Sequence, residues 1–368
     1  MPVVRFSHEF LPQRVCFAPG DAQPTLAQEV TGLGASRVMV IASPGALRRA
    51  GRITAGLPVV HRHDEVVMHV PVEVAERARA AAVRHEADVL VSVGGGSATG
   101  LAKAVALTTG LPIVAVPTTY AGSEATNVWG LTDGTGKTTG VDARVLPRAV
   151  IYDAELTCSL PVAITVASGL NALAHCVDSM WGPRVDAIDQ ALAQEGIRAL
   201  KVGLPRIVTD PTGLTGREHA LYGAYLAGVA FSSAGSGLHH RICHVLGGAY
   251  ALPHAQTHAV VLPYVLAFNA SAAPEAERRI AAALEAPTAL AGLQRLRVRL
   301  GAPQALRDYG FREHDIGAAV DAILPKVPPG NPRPVDAEDL RRLLTAAWRG
   351  ADPGILAEDI TKGAMSTR

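Results

Sequence analysis

Short apolar runs alternate with longer amphipathic stretches over the first third of the chain. Val38-Met39-Val40-Ile41 is one such run, stopped by Ser43-Pro44. Val72 to Glu86 has helical spacing and many alanines. Asp88 to Val93 is apolar and runs straight into glycines, Leu101 to Thr108 is helical, and Pro112 to Pro117 is a second buried-strand run. Strand and helix in alternation predict a parallel sheet covered by helices on both faces. After Asp153 the pattern is helical and rich in Ala and Leu, with expected breaks at Pro205, Pro211, Pro253, Pro263 and Pro303. Pro325 to Pro334 reads as a loop before a last helix over Ala337 to Arg349. The expected fold is an α/β N-terminal domain with a parallel sheet, residues 1–155, followed by an all-α C-terminal domain, residues 156–368.

Composition narrows the function. With 34 Lys and Arg against 33 Asp and Glu, the net charge is +1. No basic excess points to nucleic acid. No apolar run reaches about twenty residues and no signal pattern opens the chain, so a cytoplasmic protein with no membrane partner is expected. Cys16, Cys158, Cys176 and Cys243 have no C-x-x-C spacing and are expected to be reduced, mostly buried thiols.

The candidate chemistry begins at Gly94-Gly95-Gly96-Ser97, between a strand and a helix. Glycines let a backbone approach a pyrophosphate, and a helix N-terminus favours its charge. The spacing differs from G-x-G-x-x-G, and a tight turn without ligand has the same local pattern. A second loop, Pro117-Thr118-Thr119-Tyr120-Ala121-Gly122-Ser123-Glu124, also follows a strand end. Thr118, Thr119 and Ser123 can donate to phosphate or ribose, and both loops belong at the carboxyl edge of a Rossmann-like sheet. Ser43 and Pro44 stand where an acidic residue would hold a ribose 2′-hydroxyl, which leaves NADH and NADPH both open.

A second constellation is helical. Asn171 and His175 are four apart, as are His240 and His244, so each pair shares a helix face. His254 follows, and His239 and His258 flank the group. With these segments in view the chain resembles the iron-containing alcohol dehydrogenase family, over nearly its whole length. Gly94 to Lys103, Pro117 to Glu124, Asn171 to His175 and His240 to His254 carry the resemblance. It implies the two-domain plan shared with dehydroquinate synthase, a nicotinamide cofactor, a homodimer, and a cofactor position at Lys137. It also implies ancestral metal-ligand positions at Asn171, His175, His240 and His254.

Asn171 stands where the family has a ligand aspartate, and Gly100 where it has an aspartate after the glycine turn. These departures, with His239-His240-Arg241, Cys243-His244 and Asn331 to Val335, resemble the branch that reduces the double bond of maleylacetate to 3-oxoadipate in aromatic-compound breakdown. Thr126-Asn127-Val128, Tyr264 and Lys326 to Gly330 depart from that branch. The resemblance implies a small dicarboxylate substrate and a site that works without a metal ion, since Asn is a poorer ligand than a carboxylate. The expected roles are proton donation by His244 and hydrogen-bond donation by His175, His240 and His254. Tyr120 and Arg241 are expected to contact carboxylate or enolate. A metal-dependent alcohol or aldehyde dehydrogenase, a reductase of another unsaturated keto acid, and a non-catalytic dinucleotide-binding protein remain the alternatives.

Overall fold

The computed structural model describes residues 5–134 and 136–356, and of Lys137 the backbone only. Its α/β part runs β1 (Arg14–Phe17), α1 (Ala22–Gly32), β2 (Val38–Ile41), α2 (Leu47–Ile53), β3 (Val59–His63), α3 (Val72–Arg84), β4 (Val89–Gly94), α4 (Gly96–Thr109), β5 (Ile113–Pro117), β6 (Val128–Asp133), β7 (Gly136–Val141) and β8 (Ala149–Tyr152). Six strands form one sheet in the order β1-β8-β5-β4-β2-β3, every pair parallel. The strand alternation expected of a two-faced sheet is explicit. Val38, Val40, Val89, Val91 and Val93 pack with Leu26, Val30, Ala50 and Ile53 of α1 and α2. Met39, Ile41 and Leu90 pack with Val74, Ala78, Leu101 and Val105 of α3 and α4 on the other face.

β1, β3 and β8 are four or five residues long, and β3 carries His61, Arg62 and His63. The polar residues of β1 and β3 blur their apolar periodicity, and β8, though apolar, is only four residues long. The antiparallel pair β6–β7 lies outside the main sheet and was not anticipated either.

The helical part comprises α5 (Val162–Ser179), α6 (Ala187–Thr209), α7 (Leu214–Ala234), α8 (Leu238–Tyr250), α9 (His254–Ala270), α10 (Pro274–Ala283), α11 (Ala289–Leu300), α12 (Ile316–Ile323) and α13 (Ala337–Arg349). Pro205 and Pro263 do not break their helices. They lie inside α6 and α9. In α9 every residue from Thr257 to Asn269 is buried, so tertiary packing outweighs the lost backbone hydrogen bond. Among the described residues no helix is long and apolar enough to cross a membrane. All four cysteines are free. Cys176 and Cys243 are buried, while Cys16 and Cys158 are only half-buried.

Two compact units divide the chain differently from a single break at residue 155. The α/β unit holds Phe10–Pro161 together with Asp210–Leu221. The helical unit holds Val162–Thr209 and, among the described residues, 222–356 and 5–9. Arg217 explains the returning segment. Its fully buried guanidinium donates to the carbonyls of Pro211 (3.0 Å from Nε) and Thr157 and to the Tyr120 hydroxyl (3.3 Å). A buried cation must keep such acceptors, so Asp210–Leu221 stays with them.

Candidate functional site

In the α/β unit, the chain steps outward from β2 to β3, then returns to the other side of β2 as β4. Helices before this reversal pack on one face and helices after it on the other. The carboxyl ends of β2 and β4 therefore flank a topological switch point, where open α/β sheets bind ligands. Gly94 ends β4, Gly95 caps α4, and Gly96 and Ser97 form its first turn. Ser43 and Pro44 follow the end of β2, with Pro44 opening a short 3-10 turn. No carboxylate occupies that strand end.

The glycine turn and the threonine loop are in close contact. Thr118 N donates to Gly94 O at 2.9 Å. A Cβ on Gly95 would lie 2.9 Å from Thr119 Cγ2 and 3.0 Å from its Oγ1, and one on Gly96 would lie 3.3 Å from Ala121 Cβ. At Gly100 a Cβ would meet Val70 Cγ2 at 3.0 Å, so the position has no room for an aspartate without a shift. Half-buried Ser97, Thr119 and Ser123 and buried Thr118 line this edge.

Lys103 fixes the loop. Its Nζ is buried and donates to Ser123 O (2.6 Å), Thr126 O (2.8 Å), Val128 O (2.8 Å) and Thr126 Oγ1 (3.0 Å). Burial pushes the ammonium down to about 7, opposed by the Glu124 carboxylate. Glu124 is buried in turn and accepts from the Tyr152 hydroxyl at 2.8 Å. A lone lysine inside the apolar run Leu101 to Val105 was the sequence signal for this anchor.

Tyr120 does not take the substrate-contacting role expected of it. It is fully buried in the α/β unit, donates to Thr157 Oγ1 at 3.3 Å and accepts from Arg217. Lys137 stands on β7, and its side chain lies outside the described residues.

In the helical unit, α5, α8 and α9 bring the imidazoles together. The His175 and His240 rings stack with centroids 4.8 Å apart, and Phe231 packs on both. The His254 and His258 centroids are 4.4 Å apart, those of His240 and His258 4.9 Å, and those of His240 and His244 6.0 Å. Asn171 sits one turn before His175 on α5, 1% exposed. Asn171 Oδ1, His175 Nδ1, His240 Nε2 and His258 Nε2 are buried with no hydrogen-bond partner among the described residues. The half-buried Arg241 has its Nε in the same condition.

Asp178, absent from the expected set, organises this group. Its Oδ2 accepts from Gly237 N (2.8 Å) and lies 2.7 Å from His240 Nδ1. Burial pushes the carboxyl up to about 7 against these backbone hydrogen bonds. With Nδ1–H donating to Asp178, His240 Nε2 presents a lone pair. Asp178 lies three residues after His175 and seven after Asn171, a helical spacing that could have revealed it. Burial pushes His175 down to about 4 and His239 to about 3, and holds His240 and His258 well below the ordinary imidazole value. Burial therefore favours the uncharged imidazole at His175, His239, His240 and His258.

Among the described residues, two sets bring three ligand atoms within 4.8 Å of one another: His239–Cys243–His258 and His8–Asp186–Asp189. The trio His175, His240 and His254 is not one of them. Asn171 places an amide, a weaker ligand than a carboxylate, one turn before His175.

Residues 12–154 match the model of the iron-containing alcohol dehydrogenases, and residues 165–348 match that of the C-terminal part of the Fe-containing alcohol dehydrogenase family. A maleylacetate reductase of Burkholderia cepacia is 45% identical over 342 residues, covering 92% of this chain and 97% of that protein. A crystal structure of an iron-containing alcohol dehydrogenase from Corynebacterium glutamicum is similar with a TM-score of 0.94 and 62% identity, over 96% of this chain and 99% of that one. The crystal structure of maleylacetate reductase from Agrobacterium tumefaciens is similar with a TM-score of 0.89 and 40% identity, over 95% of this chain and all of that one.

Proposed function

The chain belongs to the iron-containing alcohol dehydrogenase family and is a nicotinamide-dependent oxidoreductase, and from that premise we propose that it reduces the carbon–carbon double bond of maleylacetate to give 3-oxoadipate in the breakdown of aromatic compounds. The observation that carries this reading is the neutral lining of the histidine cluster. An amide stands at Asn171, the buried imidazoles are uncharged, and the carboxylate of Asp178 is held by its own hydrogen bonds. At position 171 a dianionic substrate meets an amide and no negative charge.

A nicotinamide dinucleotide, which the glycine turn Gly94 to Ser97 would hold, would make a hydride available to the alkene carbon β to the ketone. The alkene electron pair moves to the ketone oxygen, and the resulting enolate takes a proton at the adjacent carbon. The chain's residues have three tasks in this reaction. Hydrogen-bond donors must meet the developing oxygen charge, and His175 and His254 serve there. Arg241, with a buried Nε lacking a partner among the described residues, serves a substrate carboxylate. His244, one helical turn from His240, delivers the proton. We propose no resident metal ion, because the amide of Asn171 replaces a charged carboxylate ligand.

The switch-point glycine turn receives the dinucleotide, and Ser43, with no carboxylate at that strand end, accepts NADH or NADPH. The protein acts as a homodimer. Support comes from β1, which is an edge strand whose last residue, Phe17, is exposed.

The test is a steady-state assay with maleylacetate, NADH and NADPH supplied separately. Loss of reduced-cofactor absorbance with either supports the reading. No consumption of either, with alcohol oxidation appearing on addition of iron or zinc, would replace it with the metal-dependent alternative.

A further inference from the structure

His258 lies outside the ancestral ligand positions, yet its ring sits among them. Its centroid is 4.4 Å from that of His254, 4.9 Å from that of His240 and 6.3 Å from that of His175. Its Nδ1 is 2.9 Å from His239 Nε2. Two N–H groups cannot face each other at that distance, so one ring donates and the other accepts. Each choice leaves one buried N–H and one buried lone pair unmatched, at His239 Nδ1 and His258 Nε2.

The choices differ in where the unmatched hydrogen goes. If His258 donates, the spare hydrogen is on His239 Nδ1. If His239 donates, it is on His258 Nε2, which leaves the ring in a direction diverging from His239. An orphaned buried N–H is rarer in folded proteins than an under-satisfied acceptor, and a hydrogen bond to a ligand would satisfy it. The thiol of Cys243, 3.7 Å from His239 Nε2, does not reverse this. A thiol is a weak donor, and the 2.9 Å nitrogen pair dominates.

We propose that His258 is a further catalytic residue, a neutral Nε2–H donor to the developing oxygen charge of the substrate, and that His239 is the positioning residue that fixes its tautomer. The inference rests on the functional reading above. It also fills the gap left by His240, whose Nδ1–H is committed to Asp178. A neutral imidazole suits the task because it donates without first losing a proton to a dianion.

The test compares His258→Met, which fills the space without a donor, with His258→Gln, which keeps an N–H at similar reach. Each is assayed with maleylacetate at saturating cofactor, and its melting temperature and NADH affinity are measured alongside. The expected result for His258→Met is a fall in kcat of about 100-fold with NADH affinity unchanged. His258→Gln is expected to recover at least about tenfold of that loss, because it restores the donor. His239→Met, which frees the tautomer, is expected to lower kcat by about tenfold with little change in KM.

Active wild type with His258→Met within about threefold of it overturns the inference and leaves the functional reading standing. Equal loss in the Gln and Met variants assigns His258 to packing and overturns it too. Stoichiometric zinc bound through His239, Cys243 and His258 would also overturn it, since the nitrogen pair would then be a ligand pair. Wild type inert to maleylacetate overturns the reading and the inference together.

Discussion

The glycine turn and the histidine cluster are built on opposite physical plans. The turn is made of backbone at two strand ends, and the buried Lys103 ammonium beside it is surrounded by four oxygen acceptors. The cluster is made of side chains from three helices, and burial has stripped its imidazoles of charge. In the first, shape is set by the absence of side chains, so adding even a methyl group disturbs it. In the second, the scaffold is indifferent to small changes and the chemistry lies in which atom each ring presents. A single exchange such as aspartate to asparagine can therefore change the reaction without changing the fold.

The largest effect is expected where the two plans differ most. Lys103→Met leaves Glu124 without its countercharge and four oxygens without their donor. It should destabilise the protein by about 3–5 kcal/mol, read from its urea midpoint. A midpoint within error of wild type would mean that the loop does not depend on this anchor.

Next is Gly95→Ala, whose Cβ would press on Thr119 at 2.9 Å. We expect NADH affinity by fluorescence titration to fall about tenfold, roughly 1.4 kcal/mol. Unchanged affinity would remove the close approach from the account of cofactor binding.

Asn171→Asp buries a carboxyl that has no partner among the described residues, so it should lower the melting temperature, and it should lower kcat/KM for maleylacetate about tenfold as a carboxylate faces a dianion. The same variant should retain more zinc or iron after dialysis than wild type. If kcat/KM holds, charge at position 171 does not govern the reaction.

The smallest effect is expected at Tyr120, which the sequence put in the site and the fold put in the core. Tyr120→Phe removes one hydroxyl shared with Thr157 and Arg217. It should cost about 1 kcal/mol of stability and leave kcat unchanged. A large fall in kcat would return Tyr120 to the chemistry.

The same contrast explains what could be read from the sequence. Gly94 to Ser97 lies in one local stretch between β4 and α4, and the apolar runs of β2, β4 and β5 announce a buried parallel sheet. The paired spacings of Asn171 with His175 and His240 with His244 were legible for a similar reason, since each is one turn of one helix. What links the helices was not legible. Asp178 meets His240 across 62 positions and His258 meets His239 across 19. Arg217 reaches Tyr120 across 97, which is why Asp210–Leu221 returns to the α/β unit. Such pairings depend on tertiary packing, which also carries Pro205 and Pro263 inside helices that local rules would end.

The central claim is that this chain reduces a carbon–carbon double bond and not a carbonyl. The direct test is the product formed from maleylacetate and nicotinamide cofactor carrying deuterium at its transferable position. The account requires 3-oxoadipate with deuterium on the carbon β to the ketone, seen by NMR. Deuterium on the former ketone carbon, in a hydroxy acid that keeps its double bond, would contradict it.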